Sequence, residues 1–350
     1  MTGHPTFGVG RIRWGWFIAG SLVLLLLPAV TSTNTPTLLL IWALFALSLG
    51  LLWGFAGILS FGHAAYFGLG AYTYAITSMN VGESTGPLLL AIVLPAAAAA
   101  VIGAMMFYGR ISDVYMGVIT LVVTLILFKF MNATAGDAYR IGSARLGGFN
   151  GIPAFPILNV PGDSSSTIYG TSFYYVVAVL LMLCYLLCRW ILASYFGRVL
   201  IGIRENEARV ELLGYSAPLY KTAIFTIAAA MAGLAGCLFA NWAEIVTPGV
   251  FSLGQSAEVI IWTIVGGLGT LAGPIIGAIA LGYLKLLLGQ QTLIDNSLVL
   301  GAILVLVVLL LPSGLLPALG RWRARRGHAR VTKRQASSTR RRRGQRSDVP

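Results

Sequence analysis

Long apolar runs follow one another along the chain, separated by short polar or charged segments. A membrane-spanning helix needs about 20 mostly apolar residues. Ten runs approach that length, at residues 14–30, 37–53, 57–78, 87–107, 115–131, 173–193, 222–242, 256–268, 272–289 and 297–312. The pattern predicts an all-α integral membrane protein, a polytopic helical bundle of about ten spans.

Glycines interrupt two regions of this pattern, 57–78 and 256–289. Irregular backbone at membrane depth occurs only inside protein or beside a water-filled cavity. These regions therefore predict broken or re-entrant helices. The first run, 14–30, follows Arg11 and Arg13 as a signal peptide would, but it is long and lacks a good cleavage site, so we interpret it as an uncleaved span.

Composition supports a lipid environment for most of the chain. Of 350 residues 57% are hydrophobic and 10% charged, whereas about 25% charged residues is usual in a soluble domain. The net charge of +13 belongs mainly to segment 320–350, which carries eleven arginines, one lysine and one aspartate. This tail could bind nucleic acid, but we interpret it as a disordered cytoplasmic end beside anionic lipid, with the bilayer rather than a nucleic acid as partner.

Arginine and lysine also predict the topology, because cytoplasmic loops carry an excess of both. With ten spans, the basic residues of the N-terminus, the loops and the tail all fall on one side. The predicted organisation is a cytoplasmic N-terminus (1–13), a transmembrane domain (14–312) and a basic cytoplasmic tail (313–350). Within the transmembrane domain, loop 132–172 faces outward and loop 194–220 faces the cytoplasm.

The residues that carry enzymatic chemistry are absent or scattered. Cys184, Cys188 and Cys237 lie in apolar runs without a disulfide or metal-ligand spacing. The sequence contains no Walker A motif for ATP, no paired-carboxylate site and no nucleophile elbow. We expect neither an enzyme nor a cofactor or metal site.

Charge is concentrated in segment 194–220, which separates two predicted spans. Glu205 and Arg209 are spaced four apart, as suits a helix, and Glu207 and Glu211 share a face. Val210 and Leu213 offer an apolar edge, and Gly214 can end the helix with a positive φ. The segment predicts one short amphipathic cytoplasmic helix, which either only connects two spans or docks on a partner.

Polar residues in apolar surroundings are candidates for a substrate path, because such residues are costly in a membrane. They are Ser60, His63, Asn150 and Glu258. His63 suits either a ligand contact or a hydrogen bond to a backbone carbonyl between packed helices. We expect Lys129 and Lys285 to snorkel to the surface. Close helix packing is expected at Gly54, Gly57, Gly62, Gly266, Gly267, Gly269 and Gly273.

Three motifs carry a family resemblance from about residue 40 to 315. They are GFAGILSFGHAAYFGLGAY at 54–72, GRVLIGIRENEAR with LGY at 197–215, and GGLGTLAGP at 266–274; GGFNGI at 147–152 adds a shorter match. Together they resemble the LivM type of permease in ABC importers of branched-chain amino acids, with urea permeases as close relatives. The chain departs from the family at Ile58, where many relatives carry glutamine.

The resemblance implies a bacterial inner-membrane protein with both termini in the cytoplasm. It implies two ATPase subunits, a second and different permease subunit, and a periplasmic substrate-binding protein as partners. It also implies that the 194–220 segment docks in a cleft of an ATPase subunit and transmits its motion to the spans. The implied coupling residues are Arg204, Glu205, Glu207, Ala208, Glu211 and Gly214.

Other functions remain open at this stage. The same mechanism could carry urea or short amides, which the motifs match almost as well. An ATP-independent channel or secondary transporter would need no ATPase partner, and a membrane-bound enzyme would show turnover by the chain alone.

Overall fold

The computed structural model describes residues 20, 24–29, 32–136, 138–289 and 301. The predicted N-terminal segment 1–13 and tail 313–350 lie outside these residues. Most of the first predicted span and all of the tenth except residue 301 also lie outside the described residues.

Ten α-helices make up most of the described chain. In order they are α1 (Asn34–Ala56), α2 (Ala64–Val81), α3 (Thr85–Tyr108), α4 (Asp113–Ala133), α5 (Thr171–Ala193), α6 (Tyr195–Glu205), α7 (Glu207–Leu212), α8 (Ala217–Ala243), α9 (Leu253–Gly266) and α10 (Ala272–Gly289). The predicted spans 87–107, 115–131, 173–193 and 222–242 agree closely with α3, α4, α5 and α8.

Five of the described helices, α1, α3, α4, α5 and α8, are long and apolar enough to cross a membrane. The chain is therefore a helical membrane protein. At 1.5 Å per residue, the 14-residue α9 is about 21 Å long, short of the roughly 30 Å hydrocarbon core. The count of ten spans stays a prediction.

Both glycine-rich regions contain non-helical backbone at the positions where the pattern predicts interruptions. Helix α1 ends at Ala56, and the chain passes through residues 57–63 before α2 begins. The second break separates α9 from α10. Gly57, Gly267 and Gly269 have φ of 77°, 112° and 81°, values that only glycine adopts readily.

Successive long helices alternate in direction. One end of the bundle, the charged end, carries α6 and α7; there Arg204 of α6 contacts the last turn of α1, and Arg110 after α3 pairs with Glu211 of α7. The opposite end, the strand end, carries six short strands. There the Trp242 indole, near the end of α8, donates to the carbonyl of Asn34 at the start of α1.

The strand end is ordered by three antiparallel pairs. The strands are β1 (Arg140–Ile141), β2 (Ala144–Arg145), β3 (Ile152–Pro153), β4 (Asn159–Val160), β5 (Asp163–Thr167) and β6 (Ile245–Val246), paired β1–β2, β3–β6 and β4–β5. Amide side chains join them to the helices. Asn80 accepts from the amide of Ser143 (2.8 Å), and Asn241 accepts from the amide of Leu158 (2.7 Å).

Helices α1 and α8 form the centre of the bundle. Small residues allow the close approach of helix backbones in membranes. A Cβ at Gly236 of α8 would overlap the carbonyl of Phe67 in α2, and one at Gly70 would overlap the backbone of Gly233. The tight α2–α8 contact therefore depends on glycines that the sequence analysis did not single out.

Candidate functional site

His63 is fully buried where the first break meets α2. Its ring stacks on Phe45 of α1, with centroids 5.6 Å apart, and Nε2 lies 2.8 Å from Ser48 Oγ. The Ser48 hydroxyl donates to the carbonyl of Phe45 at 2.6 Å, so Ser48 Oγ accepts from His63 Nε2–H. Nδ1 then carries a lone pair, and among the described residues nothing donates to it. His63 bonds a side chain, rather than the backbone carbonyl considered above.

The other predicted path residues lie in different surroundings. Ser60 is buried in the same break, and its hydroxyl has no partner in the described part of the chain. Asn150 is exposed at the strand end, in the 3-10 turn Gly148–Asn150. The structure therefore brings Ser60 and His63 into one segment and places Asn150 on an outer surface.

Glu258 forms an ion pair that the sequence analysis did not predict. Its Oε1 lies 2.6 Å from Nζ of Lys285 on α10, and the two side chains are 17% and 28% exposed. Lys285, expected to snorkel to the surface, is only 28% exposed and is held between Glu258 and the ring of Trp42, 5.3 Å away. Because the two residues are 27 positions apart in the sequence, no local spacing pattern predicts that they form a pair.

Two tryptophans extend this pair toward the core. Trp262 lies one turn after Glu258 on α9, and its ring centroid is 5.3 Å from that of Trp42. Trp42 in turn precedes Phe45, which stacks on His63, by three residues along α1. The ion pair and the buried histidine thus lie beside neighbouring turns of α1.

The charged segment is two helices rather than the single helix predicted. Asn206, with φ −160° and ψ 95°, is extended and separates α6 from α7, and its side chain accepts from the amide of Arg209. Glu205 and Arg209 therefore do not form a pair within one helix. Glu207 and Glu211 do share α7, and Gly214 follows it with φ 88°.

Side chains fix this segment to the ends of three long helices. Arg204 donates to the carbonyl of Gly54 in the last turn of α1. Glu207 pairs with Lys221 of α8 at 2.5 Å, and Glu211 with Arg110 after α3 at 3.5 Å. Burial lowers the pKa of the Arg204 guanidinium, but arginine remains charged at any physiological pH, so the bond to Gly54 stays charge-assisted.

One face of segment 194–220 is exposed, and apolar side chains lie on it. Val210, predicted to lie on an exposed apolar edge, is instead buried against Val199 and Ile203. Leu212 and Leu213 are 88% and 72% exposed. Ala208 and Glu205 are also exposed. Neighbouring apolar side chains beside charged ones are typical of a docking surface, and Leu212 had no distinguishing signal in sequence.

The glycines proposed for packing lie at close backbone contacts or in left-handed conformations. A Cβ at Gly54 would press on the amide of Gly269, one at Gly62 would overlap the carbonyl of Thr120, and one at Gly57 would meet the side chain of Arg204. Gly266 and Gly273 approach each other across the second break. The break is therefore closed by backbone contact between α9 and α10.

Within the described ranges, no three His, Cys, Asp or Glu side chains are grouped to hold a metal. The three cysteines are buried and unpaired. The geometry offers a first helix break with two buried polar side chains, Ser60 and His63, and a second break closed by backbone contact. Through α1, the first break is connected to the segment that is anchored at the charged end.

Comparison with known proteins identifies relatives along most of the chain. The family model described as branched-chain amino acid transport system / permease component matches residues 32–309. The high-affinity branched-chain amino acid transport system permease protein LivM of Escherichia coli is 29% identical, over 89% of this chain and 77% of its own. LivH of that organism is 27% identical, over 81% and 93% respectively.

A third relative extends this similarity. The probable branched-chain amino acid transport permease protein LivM of Methanocaldococcus jannaschii is 24% identical, over 82% of this chain and 94% of its own. No solved structure matches at a significant level.

Proposed function

Because this chain belongs to the family of branched-chain amino acid transport permease components, we propose that it is the membrane-spanning permease of an ABC importer for branched-chain amino acids. ATP hydrolysis resides in separate ATPase subunits. The charged end faces the cytoplasm, together with both termini, and the strand end faces the periplasm across the bacterial inner membrane.

The anchored charged segment is the observation that carries this proposal. An ATP-driven importer needs a part that contacts the ATPase and moves the spans. Helices α6 and α7 expose Leu212 and Leu213 while Arg204, Glu207 and Glu211 hold the ends of three long helices. A rigid connection of this kind transmits displacement, because packed elements shift as units rather than deform. A channel or secondary transporter has no need of it.

An aspartate at Leu212 tests the docking surface. The permease is co-expressed with candidate ATPase subunits and purified in detergent. The amount of ATPase that copurifies with the permease is then measured. Wild-type permease is expected to retain the ATPase. The Leu212→Asp variant is expected to retain at least tenfold less ATPase, because a charge placed in an apolar contact must be desolvated. Glu207→Arg is a second variant, expected to weaken binding by breaking the Lys221 pair.

The matched control is Phe149→Asp, which makes the same kind of change at the strand end, where Phe149 is 79% exposed. It should retain the ATPase. Binding by Leu212→Asp at the wild-type level would remove the docking role, and no binding by wild type to any matched ATPase would favour the channel or secondary transporter.

Ser60, His63 and Glu258 are proposed to line the substrate path, and Asn150, exposed at the strand end, is proposed to lie at the outer opening of that path. The first break supplies both Ser60 and His63. Each has a buried polar atom without a partner among the described residues, which is costly unless something binds it. Replacing His63 with alanine is expected to lower the rate of leucine uptake in proteoliposomes several-fold. Ser48→Ala, which leaves the imidazole in place, should have a smaller effect. Unchanged uptake and substrate preference in His63→Ala would exclude His63 from the path.

The proposed assembly has four further parts. Two ATPase subunits dock at the charged end, a second and different permease completes the membrane domain, and a periplasmic binding protein delivers substrate at the strand end. The curated relatives of both LivM and LivH type support a heteromeric permease pair. Urea or short amides are the alternative cargo, and competition of leucine uptake by valine and by urea separates the two.

A further inference from the structure

The Glu258–Lys285 pair lies deep enough to be costly. Lys285 Nζ is 5.3 Å from the ring of Trp42, and Trp42 is eight residues into α1, about 12 Å along its axis. Charged groups at such depth face the protein interior or a water-filled cavity. A largely buried ion pair is also weak evidence for stability, since desolvation offsets much of the attraction.

The pair leaves hydrogen-bonding capacity unused. Oε2 of Glu258 is buried and, in the described part of the chain, has no partner, and the same is true of the indole Nε1 of Trp262. Both side chains project from α9 four residues apart, so they share a face. Lys285 has three N–H donors, of which one is directed at Glu258 Oε1.

A carboxylate oxygen and an indole N–H thus lie on one face of α9, and the ammonium that pairs with Glu258 lies beside the ring of Trp42, which contacts the ring of Trp262. We propose that Glu258, Lys285 and Trp262 form a subsite for the zwitterionic head of an α-amino acid. The ligand's ammonium bonds Glu258 Oε2, and its carboxylate bonds Lys285 Nζ and Trp262 Nε1–H. The rings of Trp42 and Trp262 bury its apolar side chain. This inference rests on the proposed function and adds the residues that would select the ammonium and carboxylate of the substrate.

The subsite selects for charge rather than for size. Urea and short amides carry neither an ammonium nor a carboxylate, so they leave both charged groups unsatisfied. A site built to bond a polar group rejects analogues that lack it, because its own buried partners are then unpaired. The permease therefore discriminates against neutral amides independently of any binding protein.

The test is equilibrium binding of radiolabelled leucine to the purified permease–ATPase complex in nanodiscs, without binding protein. Glu258→Gln and Lys285→Met are each expected to raise the leucine Kd at least tenfold. The controls are Glu244→Gln and Lys129→Met, which remove the same charges at exposed positions and should leave Kd unchanged. Thermal unfolding of every variant is recorded, and if Glu258→Gln does not fold, Lys285→Met and the competition in wild type carry the test.

A second readout separates binding from a merely structural role. In wild type, 4-methylpentanoate, which lacks the ammonium, should compete at least tenfold more weakly than leucine, and Glu258→Gln should remove this preference. An unchanged leucine Kd in the variants, or equal competition in wild type, overturns the subsite. ATP-driven leucine import by the wild-type complex is measured in parallel. Import without leucine binding overturns the subsite alone, whereas absence of import overturns the proposed function.

Discussion

A valine at Gly236 is expected to prevent the bundle from folding. Its Cβ would overlap the carbonyl of Phe67 in α2, so α2 and α8 would have to separate along the middle of the molecule. Overpacking a core by even a few methylenes costs about 1–3 kcal/mol where side chains can adjust, and a backbone carbonyl cannot. We expect a loss of at least about 3 kcal/mol in stability, measured as near-complete loss of monodisperse protein by fluorescence-detected size-exclusion chromatography.

Gly86→Val is the matched control. Gly86 lies in the first turn of α3, and a Cβ there would meet nothing within 4 Å. This variant should elute as wild type does. A monodisperse Gly236→Val protein with a wild-type unfolding temperature would mean that the α2–α8 contact is looser than described.

Loss of Arg204 is expected to uncouple ATP hydrolysis from transport. The guanidinium donates to the carbonyl of Gly54, and a cation at a helix C-terminus is also favoured by the helix dipole. Arg204→Ala removes the hydrogen bond from α6 to the last turn of α1 but leaves Leu212 and Leu213 exposed. We therefore expect unchanged ATPase binding and at least a tenfold fall in leucine imported per ATP hydrolysed, measured in proteoliposomes.

Arg198→Ala provides the comparison on the same helix. Arg198 donates to the carbonyl of Ala193 at the junction of α5 and α6 and has an exposed side chain, so its removal leaves the contact with Gly54 intact. Import per ATP should stay near the wild-type value. Equal ratios in Arg204→Ala and wild type would show that force does not pass through this contact.

Local sequence patterns predicted the helices well, because lipid requires long apolar runs and closed backbone hydrogen bonding. The bounds of α3, α4, α5 and α8 follow from run length alone. The break at Gly57 was also predictable, because glycine, serine and histidine interrupt an otherwise apolar run there.

The rest of the site depends on contacts between distant residues. Nothing near Lys285 in sequence indicates that Glu258 holds it. Similarly, the i, i+4 spacing of Glu205 and Arg209 favours one helix, but the Asn206 side chain caps the amide of Arg209 and a second helix starts there. Val210 is buried and Leu212 is exposed because of the way α7 packs on α6. If 194–220 is treated as one continuous helix, the buried and exposed faces are assigned wrongly.

The amide contacts at the strand end have a kinetic consequence. Asn80, Asn159 and Asn241 hold the loop residues Ser143, Leu158 and Asn159 against the helix ends, so these contacts are in place before any protein docks there. Binding that requires a conformational change is slowed, whereas docking of two preformed patches proceeds at about 10⁵–10⁷ M⁻¹ s⁻¹. If a binding protein delivers cargo to this face, as proposed above, delivery should be limited by encounter, and its rate should rise in proportion to the concentration of that protein.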